Sequence, residues 1–219
     1  MKRALVNLGS MLAAQTRRLV LFLAAVCCLQ QAYAQNFERL TDIEADAFGD
    51  YAVINGDYQT LKNVRRYWTQ EAQRLKSIKG MEFALTGNSE AVFRVTIPAR
   101  LLFVQNDSTL LASADGVLRP LLRLCKGSDA VAKVIVTSYT DNNGSDKYLY
   151  AVSGSRARQV HRWFAKQGVG PSDVRSHGFG NKVPRTLNET IAQREKNRRV
   201  SIFFVPNRKM LKAAKNNKL

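Results

Sequence analysis

Val131-Ala-Lys-Val-Ile-Val-Thr-Ser-Tyr-Thr140 is an apolar run of strand character that stops on Asp141 and a turn, Asn142-Asn143-Gly144. A run with helical spacing follows, with Val152-Ser153-Gly154-Ser155-Arg156-Ala157 near its middle. Gly168 stands where a helix C-cap glycine belongs, and Pro171 keeps the helix from resuming. Gly178-Phe179-Gly180, then Asn197-Arg198-Arg199-Val200 and a last apolar run, close the stretch. The pattern predicts a strand over 131–139, a helix over about 146–167, a strand over about 172–178, a helix over about 188–196 and a strand over 200–205. Alternation of this kind folds as an α/β (α+β) two-layer sandwich, with helices on a mixed sheet.

Working outward, Met81–Thr86 and Ala91–Ile97 alternate apolar and polar residues on either side of Gly87-Asn88-Ser89-Glu90, the pattern of a β-hairpin. Pro98, lacking an N–H, ends that ladder. Leu101–Val104 is a short apolar run and Asn106-Asp107-Ser108 a loop. Leu110–Cys125 reads as a helix that Pro120 kinks or divides, and Gly127-Ser128-Asp129 turns into the central strand. Upstream, Leu61, Val64, Trp68, Ala72, Leu75 and Ile78 recur at steps of three and four, predicting an amphipathic helix over 59–79. That face has two uses: packing on its own domain, or a homodimer seam whose heptad Glu71 interrupts. Residues 35–58 mix aromatics with acids and glycines and predict no element. Asn207–Leu219 carries five cations and no acid, which reads as a solvated, frayed tail, or alternatively as a patch adhering to wall or lipid.

The first 34 residues read as a secretory signal. Lys2, Arg3, Arg17 and Arg18 precede the apolar run Leu19–Leu29, and Ala32-Tyr33-Ala34 offers a small-x-small cleavage site near Ala34. The run is shorter than the roughly 20 residues a bilayer span needs. Val26 before Cys27 is too bulky for a lipoprotein signal. Cleavage lowers the formal charge from +17 to +13, because those four cations leave and no acid does. A strongly basic exported protein expects an anionic partner, and in an envelope that is wall polymer or lipid rather than nucleic acid. Cys125 alone would remain, so no intrachain disulfide forms, and its apolar surroundings predict a core thiol. His161 and His177 have no ligand spacing around them, no cofactor or metal site is expected, and no Ser/His/Asp or Cys/His set suggests catalysis.

Two charges stand out. At about 100° per residue, Leu149, Val152, Ser153, Ala157, Val160, Trp163 and Phe164 make one stripe of the predicted helix, and Arg156 falls inside it at about 340° from Leu149. A guanidinium against a core must snorkel out or meet a carboxylate or ligand. Asp141, at the end of the central strand, is the natural candidate. The two residues either form a structural salt bridge, with Asp141 also able to make an Asx turn, or flank a pocket for a zwitterion.

Thr140-Asp141-x-x-Gly144, Ser153-x-x-Arg156-Ala157, Gly178-x-Gly180-x-x-x-Pro184 and Asn197-Arg198-Arg199-Val200 together resemble the OmpA-like (OmpA C-terminal, MotB-like) peptidoglycan-binding domain. Ile97–Phe103 with Ser108-x-Leu110 is similar to that family's opening strand and first helix, and the resemblance covers roughly residues 90–206 of a domain read as 81–206. It implies a β-α-β-α-β-β mixed sheet with helices on one face and a noncovalent grip on the peptide stem of peptidoglycan. Asp141 would hold the ammonium and Arg156 the carboxylate of diaminopimelate, with Thr140 beside them and Asn197 and Arg198 as secondary contacts. The implied setting is the periplasm, associated with cell wall or outer membrane, with other envelope proteins as further partners. Ser138 and Tyr139 replace the family's frequent glycine and histidine, and Leu149 its frequent asparagine. Residues 35–80 are too short for a transmembrane barrel of eight strands of about 10 residues. The alternative function is a structural or assembly component of an envelope machine that uses helix 59–79.

Overall fold

A computed structural model describes residues 54–87, 89–126 and 132–219. The expected signal peptide, the cleavage site near Ala34, most of the mixed segment 35–58 and the turn at Gly127–Asp129 lie outside the described residues. Helix α1, Tyr58–Leu75, is opened by Asp57, whose Oδ1 accepts from the Thr60 N–H at 2.9 Å. It ends four residues before the expected boundary, although Ile78 still packs on the core. Its apolar face is filled by its own chain: Trp68 is fully buried, stacks on Phe93 at 5.4 Å and donates from Nε1 to the Ala91 carbonyl at 2.8 Å. The stripe also read as a dimer seam is thus already covered. Glu71, the residue that broke the heptad, is buried and bound by Arg74 at 2.6 Å and Arg123 at 3.2 Å. A buried carboxylate needs such partners.

Five strands form one sheet in the order β1-β2-β5-β3-β4: β1 Glu82–Thr86, β2 Val92–Pro98, β3 Ala132–Tyr139, β4 Val174–Gly180 and β5 Arg199–Pro206. β3 and β4 run parallel and the other neighbours antiparallel, so the sheet is mixed and the predicted hairpin 81–97 is its β1-β2 edge. Phe93, Val95, Val134, Val136, Ile202 and Phe204 share the face under the helices. By strand alternation Val92, Ile135, Phe203 and Val205 point the other way and form a smaller cluster with Ile54.

The helix expected over Leu110–Cys125 begins only at α2, Ala114–Leu118. Leu110 instead makes a β-bridge to Phe103, and a 3-10 turn, Ala99–Leu101, leads into the predicted apolar run 101–104. Pro120 divides the rest: a 3-10 turn over Arg119–Leu122 separates α2 from α3, Arg123–Lys126. Helix α4, Asp146–Lys166, buries Leu149, Ser153, Ala157, Val160 and Phe164 of the stripe drawn from the sequence, with Arg156 among them, and leaves Val152 and Trp163 half-buried. Ser145 caps its start, and Gly168, at φ +83°, ends it with the Val169 N–H returning to the Phe164 carbonyl. α4 lies on β4 unusually closely: a Cβ on Gly178 would stand 2.1 Å from the Gly154 nitrogen. At that contact Ser153 Oγ accepts from the Gly180 N–H at 2.9 Å and donates to the Tyr150 carbonyl. Helix α5, Ile191–Asn197, starts in a capping box made by Thr190 and Gln193.

The basic C-terminus is not frayed. Asn207 caps helix α6, Arg208–Lys215, by accepting from the Met210 N–H at 3.0 Å. Met210, Ala213 and Ala214 are buried, and Asn63 of α1 donates to the Ala214 carbonyl at 2.9 Å. Counting cations obscured the i, i+3, i+4 spacing of those three apolar residues.

Met210→Ala is expected to lower stability by about 2–4 kcal/mol in a denaturant titration, because a fully buried methionine leaves a cavity. A frayed tail would shift it by less than about 0.5 kcal/mol. Gly178→Ala is expected to cost more than about 2 kcal/mol in the same measurement, since the obstructing atoms are backbone and have no rotamer to yield.

Candidate functional site

Asp141 follows β3 directly. The Thr140 N–H donates to the Gly180 carbonyl at 2.8 Å and fixes the strand end from which Asp141 projects. The Asp141 carboxylate is 5% exposed. Its Oδ2 accepts from Arg198 Nη1 at 2.8 Å, and its Oδ1 from the Asn143 N–H at 3.3 Å, the Asx turn that the sequence allows. The direct salt bridge to Arg156 is not formed. Asp141 is near enough to favour the charge on Arg156, but Arg198 holds it.

Arg156 is 7% exposed, as its place in the apolar stripe requires. Nε donates to the Asp107 carbonyl at 2.9 Å, and the guanidinium lies over the Phe103 ring with its carbon 5.3 Å from the centroid. Burial is the main force lowering its pKa. Arg198 pushes the same way, while Tyr148, Asp107 and Asp141 oppose. Among the described residues no carboxylate pairs with its Nη groups.

Arg156 lines a cleft of about 360 Å³ together with Arg198, Arg100, Glu195, Phe103 and Asn106, among others. Arg198, on the C-terminal side of α5, reaches both Asp141 and Glu195. It is the link between the cleft and Asp141, which does not itself line the cleft. Three cations and an aromatic face at a recess suit a planar anion such as a carboxylate.

The remaining predicted residues are placed differently. The Thr140 hydroxyl is buried without a hydrogen-bond partner and lies off the cleft lining. Asn197 is fully buried and its amide is engaged within the fold: Oδ1 accepts from the Arg185 and Thr186 N–H groups, and Nδ2 donates to the Thr186 carbonyl and Asn188 Oδ1. It clamps the loop before α5 instead of facing the cleft. Tyr139 is fully buried, stacked on Phe179 at 5.5 Å, with the Arg199 guanidinium carbon 3.7 Å from its ring centroid. Leu149 is buried against the Gly144 turn. Both departures from the family pattern are therefore packing residues at the rear of the site.

Sequence reasoning missed Arg100, Phe103, Glu195 and the Asp107 carbonyl. Phe103 and Asp107 lie about 50 residues before Arg156, with no local pattern pointing to it. Burial pushes the Cys125 thiol up to about 12, leaving it unreactive at neutral pH. Burial lowers the pKa of both His161 and His177, and His161 Nδ1 stands 3.3 Å from Ser176 Oγ. Among the described residues no group of three His, Cys, Asp or Glu side chains could hold a metal ion.

Residues 102–198 match the model of the OmpA family. Outer membrane protein A of Bordetella avium is 28% identical over 116 residues, which cover 53% of this chain and 59% of that protein. The outer-membrane lipoprotein YfiB of Pseudomonas aeruginosa is 31% identical over 105 residues, covering 48% and 62%. The peptidoglycan-binding protein ArfA of Mycobacterium tuberculosis is 37% identical over 71 residues, covering 32% and 22%. The chain thus spans about three fifths of the length of the first two relatives. In fold, a putative MotB like protein from Desulfovibrio vulgaris matches with a TM-score of 0.57 at 21% identity, covering 67% of this chain and 91% of that one. The cell wall anchor of the T6SS from Pseudomonas aeruginosa matches with a TM-score of 0.54 at 20% identity, covering 65% and 99%.

Asn197→Ala is expected to lower stability by about 2–4 kcal/mol in chemical denaturation, because it strands several buried partners at once. A residue engaged only by ligand would leave the unfolding midpoint unchanged.

Proposed function

We propose that the domain read as residues 81–206, which contains the OmpA-family match over 102–198, binds the peptide stem of peptidoglycan noncovalently and tethers its chain to the cell wall. One observation carries the reading. Arg156 is more than nine-tenths buried, is held by its Nε and by the Phe103 face, and lines the cleft with no ion pair among the described residues. A buried guanidinium in that state is built for an anion supplied from outside. The names of ArfA and of the T6SS cell wall anchor support peptidoglycan as the source of that anion.

In this reading the carboxylate of a diaminopimelate-type zwitterion lies against the Arg156 fork. Its ammonium takes the place on Asp141 that Arg198 holds in the free protein, and Arg198 stays neutralised by Glu195 and by the ligand carboxylate. Thr140 and Asn197 position these groups without touching the ligand. An export signal in residues 1–34 would deliver the domain to the periplasm, where the net positive charge also favours the anionic wall.

Retention of the full chain on purified sacculi tests the proposal. Asp141→Asn combined with Arg156→Lys is expected to reduce retention at least tenfold at 0.15 M salt while preserving the fold. Equal retention of native and variant protein would falsify the site. Retention that disappears from the native protein in 1 M salt would assign the adhesion to surface charge instead.

A further inference from the structure

A second recess of about 160 Å³ adjoins the cleft and shares Arg100 and Glu195 with it. Four cations, Arg100, Arg185, Lys196 and Arg199, face two acids there, Glu82 and Glu195. Both acids are engaged already. Arg185 Nη2 lies 2.7 Å from Glu82 Oε2, and Glu195 pairs with Arg198. Arg199 is buried over the Tyr139 ring and donates to the Asn197 and Val183 carbonyls. Arg100 and Lys196 remain, exposed and without an ion pair among the described residues. The recess therefore carries two uncompensated positive charges, and Arg100 stands at its junction with the Arg156 cleft.

We propose that this recess is a second anion subsite, in which Arg100 and Lys196 take a carboxylate on the same peptide whose zwitterionic end lies at Arg156. The inference rests on the stem-peptide reading and adds a determinant of ligand choice to it. A stem whose γ-linked glutamate keeps its α-carboxylate free offers such a group one residue away from diaminopimelate, and a stem in which that carboxylate is amidated does not. The domain then discriminates between walls by amidation state. The carboxamide brings no charge to the two cations and sets its own N–H donors against theirs.

The experiment compares two synthetic tripeptides, Ala-γ-Glu-diaminopimelate and the same peptide with the glutamate α-carboxylate as carboxamide, titrated into the full chain by calorimetry at 0.15 M salt. The native protein is expected to bind the carboxylate form about tenfold more tightly, as a charge-assisted pair at a partly exposed site warrants. Lys196→Gln, at a residue that lines the recess and not the Arg156 cleft, is expected to lose most of that preference while keeping the native affinity for the amidated form. The change is at an exposed side chain, so the fold is expected to survive, and an unchanged melting temperature checks it. Equal affinity of the native protein for the two peptides, or discrimination that persists in the variant, overturns the subsite and leaves the Arg156 reading standing. Binding of neither peptide by the native protein overturns both.

Discussion

The contact between Gly154 of α4 and Gly178 of β4 is the constraint on which the rest of the site depends. No side chain separates the two backbones, since a Cβ on Gly178 would overlap the helix. Contact this close sets the distance of α4 from the sheet along its whole length. It lets Ser153 hold the Gly180 N–H, and the Gly180 carbonyl in turn receives the Thr140 N–H. One chain of hydrogen bonds thus runs from the helix through β4 to the residue before Asp141. The same geometry puts Arg156, three residues beyond Ser153, at the lip of the core rather than in solvent.

Charge in this region is distributed by burial rather than by proximity in sequence. Arg156 loses hydration and recovers part of it from a carbonyl and an aromatic face, neither of which neutralises it. Asp141 is neutralised by Arg198, which also serves Glu195. The free protein therefore holds a compensated acid and an uncompensated base side by side. That asymmetry is what a zwitterion would correct, by replacing one internal pair with two ligand pairs.

The basic C-terminal end of the chain shows the limits of charge as a guide. Residues 207–219 look like a solvated run because cations dominate their composition, yet three small or flexible apolar residues are enough to dock a short capped helix on α1. Glu71 gives the converse case. It looks like a fault in a heptad, whereas it is the buried anchor for arginines from two segments. In both, the deciding interaction joins residues far apart in the chain, Asn63 with Ala214 and Glu71 with Arg123.

Local sequence pattern alone indicated an α/β sandwich with helices on a mixed sheet, the order of β3, α4, β4, α5 and β5, a hairpin upstream of them and the presence of Arg156 in an apolar stripe. Each of these is local: side-chain spacing, a cap or a missing N–H expresses itself within a few residues. Asp141 and Arg156 were legible as candidates for the same reason, one ending a strand and the other breaking a stripe. Tertiary structure alone decided that Arg198 pairs with Asp141, that Asn197 clamps a loop, that Phe103 and Arg100 line the cleft, and that the C-terminal run is a packed helix. These choices depend on which segments the sheet brings together from distant parts of the chain. A single strand or helix carries no pattern for its partners, because burial and pairing energies exist only once the layers have closed.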